Sequence, residues 1–333
     1  MKRRKFISRT LHTVGALSLG FFPDCKSEIK STLSTRTNGQ SSVVVARNDF
    51  VRDANGRLIS EQVDKLLDKA MQNFFQVSKS ELAWERLFNK NDVVGIKINC
   101  LAGRGISSTR ELVESIVEGL RKAGVPERNI IIWDRSNRDL EKAGYKIQTN
   151  GNRSKCYGNN QAGYSYDVFE YGEVGSCISN IVLQQCTSII NVPVLKDHGI
   201  VGITNAMKNF FGAIHNPNKY HDNNGDPYIA DVNMLPAIRS KTRITITDAL
   251  TAQYEGGPPF MPQWTWPFNG ILVGMDPVAL DAVAWDIIEK KRKEKGLPSL
   301  KEAGREPTYI ATAADENHRL GCNDLNKIQI QQV

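Results

Sequence analysis

No two of the six cysteines in this 333-residue chain are spaced CxxC. Cys25, Cys100, Cys156, Cys177, Cys186 and Cys322 therefore write neither a local iron–sulfur loop nor a zinc ribbon, both of which need thiolates a few residues apart. An iron–sulfur cofactor is not expected. Long apolar runs are missing as well. Residues 11–22 (LHTVGALSLGFF) are interrupted by His12 and fall short of the ~20 residues that a ~30 Å hydrocarbon core demands, so no stable membrane span is expected. There is no dense Lys/Arg stripe with interleaved aromatics, which argues against a nucleic-acid partner. Histidine is scarce, with five in all, so its distribution is informative.

What is present begins at the first residues. Residues 1–8 (MKRRKFIS) set Arg3 beside Arg4, ahead of Phe6, Ile7 and the short apolar run. Basic residues, a weak apolar stretch and a polar linker, in that order, are the layout of a twin-arginine export signal. The pattern predicts a signal peptide over residues 1–25 and a Ser/Thr-rich linker over residues 26–42. It also predicts a periplasmic protein that reaches the twin-arginine translocase already folded. The same segment supplies most of the net charge. The chain carries +7, and residues 1–25 hold five basic residues against Asp24, which leaves about +3 for the remainder. That modest excess suits a small anionic ligand rather than a polyanion.

The chain is 40% apolar, enough for one large core, and residues 43–333 read as a single domain. Strand and helix patterns alternate. Residues 43–46, 93–99, 129–133, 188–194, 243–247 and 271–273 are short β-branched or apolar runs. Between them, residues 61–75 repeat apolar side chains at helical spacing behind Ser60 as N-cap. Ser108 and Glu111 read as a capping box opening a helix that stops at Gly124. Further helices are expected near residues 204–211 and 277–290, the latter with Asp276 as N-cap and Pro277 at its first position. A polar, Gly/Asn/Ser-rich insertion containing one hairpin is expected over residues 145–185. The alternation predicts a three-layer α/β fold, a mostly parallel sheet with helices on both faces. For the cysteines, disulfides and buried free thiols fit equally.

In such folds ligands gather beyond the carboxyl ends of strands, which directs attention to Asn99, Asp134, Lys196, His198, Asp248 and Asp276. Residues 191–221 (NVPVLKDHGIVGITNAMKNFFGAIHNPNKYH) concentrate the chemistry. They hold His198, His215 and His221 together with Lys196, Lys208 and Lys219. Histidine offers metal ligation and proton transfer near neutral pH, and lysine binds anions or forms Schiff bases. The histidine spacings match no HExxH helix or compact zinc motif. Lys219 and His221 read as loop residues within HNPNKYHDNNGDP. Asp248 and Glu255 add carboxylates able to hold a hard cation or act as acid and base.

The segments VGIKIN (residues 94–99), VPVLKDHGIVGITNAMKNFFGAI (192–214), ITDALTAQYEGG (246–257) and GMDPVALDAVAWDII (274–288) resemble the family called domain of unknown function 362. The resemblance implies a prokaryotic α/β domain, some of whose relatives carry ferredoxin-type cysteines and some twin-arginine signals. It maps onto Lys97, Lys196, His198, Lys208, Asn209, Asp248, Glu255, Asp276 and Asp281. The ferredoxin cysteines are lacking here. Two functional classes follow. In the enzyme reading His198, Lys208 and Glu255 are catalytic, and Lys97, Lys196 and Asn209 hold an anionic ligand or cofactor. In the carrier reading, which involves no turnover, His198, His215 and Asp248 ligate a divalent metal. A third class, an accessory component of a periplasmic complex, would expose an apolar patch instead.

Overall fold

The structure, a computed structural model, describes residues 41–333. The signal segment and all but the last two residues of the linker lie outside the described residues. Ser42 already belongs to the first strand, and the Ser41 hydroxyl donates to Asp276.

The β-branched run forms β1 (Ser42–Arg47), buried over residues 43–46. The helices α1 (Ser60–Phe75) and α2 (Ser80–Leu87) lead to β2 (Val94–Ile98), α3 (Arg110–Lys122) and β3 (Ile130–Trp133). After α4 (Asn137–Lys142) come β4 (Lys155–Cys156), α5 (Asn159–Ala162) and a separate antiparallel hairpin, β5 (Phe169–Tyr171) with β6 (Val174–Ser176). The chain returns through β7 (Ser188–Val192), β8 (Val194–His198) and β9 (Gly202–Thr204). A 3-10 helix (Lys208–Ala213), α6 (Tyr228–Met234) and α7 (Pro236–Lys241) follow. The last elements are β10 (Thr242–Gln253), β11 (Thr265–Trp266), β12 (Gly270–Gly274), α8 (Pro277–Glu294), α9 (Tyr309–Ala314) and β13 (Gln329–Gln332).

The main sheet runs β13-β1-β12-β10-β7-β2-β3-β4, with β8 and β11 also on β10 and β9 on β8. Its half from β10 to β4 is parallel throughout. β12 pairs antiparallel with both β1 and β10, so it runs against the rest of that order. Side chains alternate between two cores, as the two-residue period of a strand requires. Val44, Ile96, Ile98, Ile132, Ile190 and Ile246 pack with α1, α2 and α3. Val43, Val45, Ile131, Trp133, Ile189 and Leu272 face the other way, toward α6, α8 and α9. The protein is a three-layer α/β fold with a mostly parallel sheet. α1 shows the sequence logic most plainly, since Val63, Leu66, Leu67, Ala70, Met71 and Phe75 form one buried stripe at helical spacing. Each large side chain in such a stripe contributes ~1.5–3 kcal/mol on full burial.

Local expectations gave way where distant side chains intervened. Ser60 is the first helical residue rather than the cap, and Ile59, which precedes it, makes no side-chain capping bond. The Ser108–Glu111 capping box does not form. α3 begins after Thr109, whose N–H and hydroxyl both donate to Asp248 from β10, at 2.7 and 2.8 Å, while the Ser108 hydroxyl donates to the Val192 carbonyl. The helix expected near residues 204–211 is instead β9 and the 3-10 helix. Here the amides of Ala206 and Met207 donate to Asp281, and Asn205, Asn209 and Asn233 bond across elements instead of leaving a regular ladder. Asp276 does cap α8, accepting from Val278 and Ala279 at 2.9 Å. Residues 145–185 contain the expected hairpin, yet they are built into the fold. β4 extends the sheet, the Asn159 amide donates to the Gly212 carbonyl at 2.7 Å, and the Ser179 N–H donates to Ala213 at 2.8 Å. All five described cysteines are free thiols.

Candidate functional site

β2, β3 and β8 end around a small cleft. Lys97 comes from the last turn of the pleat in β2 and Asn99 from just past it; Asp134 stands immediately after β3; Lys196 and His198 come from β8. The 3-10 helix closes one side with Lys208, Asn209, Phe211 and Gly212, and β9 adds Thr204. The cavity volume is ≈ 90 Å³, small beside the ~300–1,000 Å³ of sites for drug-sized ligands.

Three asparagines tie the strand ends to the helix. Asn209 donates to Asn191 Oδ1 at 2.7 Å and to the Lys97 carbonyl at 3.3 Å, and its Oδ1 accepts from Lys97 Nζ at 3.2 Å and Asn99 Nδ2 at 3.1 Å. Behind this helix, Asp281 of α8 takes the Ala206 and Met207 amides at 2.7 and 3.2 Å, and Asn233 of α6 donates to the Met207 carbonyl at 3.0 Å. Burial of a carboxylate is tolerated only when its oxygens are used in this way. Even so, burial pushes the Asp281 carboxyl up to about 7. The clamp fixes the main chain just before Lys208.

The three lysines of the cleft are differently partnered. Lys97 donates to the Ile98 carbonyl at 2.6 Å and forms a buried ion pair with Asp134 at 2.8 Å; the other Asp134 oxygen accepts from the Cys100 amide at 2.6 Å. Gly212 must lack a side chain here, because a Cβ would stand 2.8 Å from Lys97 Cε and 3.0 Å from Asp134 Oδ1. Lys196 reaches Asn99 Oδ1 at 3.1 Å and, at longer range, the carbonyls of Pro258 and Ile106, without an acidic partner. Burial brings its ammonium down to about 8. Lys208, 8% exposed, has its ammonium 4.0 Å from the centre of the Phe211 ring and makes no hydrogen bond or ion pair among the described residues. Burial first, then the charges of Lys196, Lys97 and Arg135, lower it to about 7. Thr204 is 4% exposed, and its Oγ1 is buried without a hydrogen-bond partner.

His198 accepts from the amides of Ile200 and Val201 at Nδ1, at 3.2 and 3.4 Å, so the neutral ring carries its proton on Nε2. Burial, followed by Lys208 and His221, drives its pKa down to about 2. Such a ring donates a hydrogen bond; it does not store a proton near neutral pH. His221 stacks on it at 5.6 Å between centroids and meets Phe211 edge-on at 5.4 Å.

The structure thus gathers Lys97, Lys196, His198, Lys208 and Asn209. It places the other candidates elsewhere. Glu255 lies outside the cleft, bonded to Arg292 and Arg305, the latter also paired with Asp197 at 2.6 Å. Asp248 serves the N-terminus of α3 on the opposite face of the sheet, and burial holds its carboxyl up at about 6. His215 is exposed beside Tyr164. His198, His215 and Asp248 therefore do not assemble, and no group of three or more His, Cys, Asp or Glu side chains suited to a metal ion forms among the described residues. Asp276 is at the wrong end because β12 runs in reverse. Sequence reasoning missed Thr204, Arg135 and the packing of His221 on His198. The position of Thr204, four residues before Lys208, was the one available signal.

Among the described residues no helix is long and apolar enough to cross a membrane. A family model described as Domain of unknown function (DUF362) matches residues 94–286, a span that contains every cleft residue named above. No curated protein matches the chain. A crystal structure of a Thermotoga maritima protein from a structural genomics consortium is similar at 12% identity and a TM-score of 0.41, covering 72% of this chain. The chain spans about 60% of the length of that protein.

Proposed function

The chain belongs to the Domain of unknown function (DUF362) family, and from that premise we propose that its cleft binds a small anion, a carboxylate or phosphate group. The observation that carries this reading is Lys208, a buried cation with no counter-charge. The lining supplies Lys97, Lys196, Lys208 and Arg135 against Asp134 and Asp139, and both aspartates are already engaged, with Lys97 and with Arg135 and Arg138 respectively. Lys196, though hydrogen-bonded to neutral oxygens, and Lys208 are left without a counter-charge among the described residues. Buried charge is costly until paired, so an anion that meets both ammonium groups, and gives the Thr204 hydroxyl an acceptor, satisfies three groups at once. His198 Nε2–H is a further donor at the same cleft.

Calorimetric titration with sulfate, inorganic phosphate and short carboxylates tests the reading. One charge-assisted hydrogen bond is worth ~1.5–3 kcal/mol, so Lys208→Met is expected to weaken binding roughly 10- to 150-fold. Absence of binding, or equal binding by the variant, would sink the proposal. The adjacent Arg3 and Arg4 support the further reading that this site operates in the periplasm after export in the folded state. Replacing both arginines with lysine should hold the protein in the cytoplasmic fraction; unchanged fractionation would remove the twin-arginine route.

A further inference from the structure

We infer that Lys208 is an amine nucleophile that condenses with the carbonyl carbon of a small oxoacid whose acid group occupies the anion site. The inference rests on the anion-binding reading and names its substrate class. Three lysines line the cleft, and their partners separate their roles. Lys97 is committed to Asp134 and two further acceptors. Lys196 is turned toward the oxygens of Asn99, Pro258 and Ile106. The Lys208 nitrogen lies against a ring face, and no acceptor among the described residues holds its protons. An amine freed from hydrogen bonding and set next to other cations is the arrangement that activates lysine toward carbonyls. Burial and the neighbouring cations favour the neutral form that attack requires, against the Phe211 ring face 4.0 Å away, which favours the ammonium.

The step balances without an oxidant or reductant. The lone pair on neutral Nζ forms a C–N bond as the carbonyl π pair moves onto oxygen. The two protons originally on Nζ pass to that oxygen through water in the cleft, the oxygen leaves as water, and a C=N bond remains. His198, neutral and carrying its proton on Nε2, is suited to donate a hydrogen bond to the carbonyl oxygen as charge develops there. The Lys196 charge, which has no acidic partner, and the Thr204 hydroxyl then draw the acid group, which is why an oxoacid is favoured over a neutral aldehyde.

Reductive trapping tests this. The folded full chain would be incubated with pyruvate, glyoxylate or acetoacetate and sodium cyanoborohydride, then mapped by peptide mass spectrometry. In parallel, sulfate binding would be measured by calorimetry without any carbonyl compound. The expected result is a saturable reduced adduct on the Lys208 peptide, suppressed by sulfate and lost in Lys208→Arg, which keeps a cation but has no nucleophilic amine. Mapping of the unaltered chain stands even if that variant does not fold. Sulfate binding with no Lys208 adduct from any of the three probes overturns the inference and leaves the anion site intact. Absence of sulfate binding overturns the site and the inference together.

Discussion

Asp281 is fully buried, does not line the cleft, and yet should control it. Its two oxygens accept the amides of Ala206 and Met207, the residues immediately before Lys208. In Asp281→Ala both amides lose their acceptor in a site too enclosed for water to replace it freely. At ~1–3 kcal/mol for each orphaned donor, the loss is roughly 2–6 kcal/mol. Asp281→Asn keeps one acceptor and turns an NH2 toward the other amide, so roughly half that loss is expected. Urea unfolding followed by circular dichroism gives both values at one pH. Because burial holds the carboxyl up near 7, above the ~3.9 of an unfolded chain, the stability linked to its proton is fully present below about pH 4 and is lost as pH rises through 7. The advantage of the unaltered protein over the non-titrating asparagine variant should therefore shrink with rising pH. Sulfate binding should weaken in the asparagine variant even though no cleft group has changed. An alanine variant within about 0.5 kcal/mol of the unaltered protein, a level ordinary for surface changes, would refute the clamp.

Two other outcomes follow from the same geometry. Lys97→Met leaves the Asp134 carboxylate buried without its cation and should cost ~3–5 kcal/mol in urea unfolding; a loss below ~1 kcal/mol would mean the pair is far more solvated than its burial indicates. Sulfate keeps its charge across the neutral range, so the pH dependence of its binding reports the protein. With Lys208 lowered to about 7 and Lys196 to about 8, affinity should be greatest below pH 6 and fall as the pH rises past both values, whereas a flat profile by calorimetry would show that neither ammonium meets the anion.

The sheet and its flanking helices were legible because helices repeat apolar side chains at helical spacing, as in the α1 stripe, and buried strands read as short continuous apolar runs, as in β1. The strand-end rule also led to Asn99, Asp134, Lys196 and His198, and the family resemblance to Lys97, all of which line the cleft. It misled at Asp276, since nothing local in residues 270–274 shows that β12 runs in reverse. Glu255 and Asp248 looked like spare carboxylates because their partners are far along the chain. Arg292 and Arg305 follow Glu255 by 37 and 50 residues, and Thr109 precedes Asp248 by 139. The helix expected near residues 204–211 failed for a related reason. Distant side chains take its backbone groups: Asp281 accepts the Ala206 and Met207 amides, and Asn191 and Asn233 donate to the Ala206 and Met207 carbonyls. A threonine hydroxyl left without an acceptor, as at Thr204, carries no pattern that a sequence displays.

The most direct test of the anion site is a crystal structure determined at a sulfate concentration that saturates the calorimetric signal. The expected density is one ion within hydrogen-bond distance of Lys208 Nζ, Lys196 Nζ and Thr204 Oγ1. A cleft without the ion under those conditions, or an ion bound only at surface lysines, would contradict it.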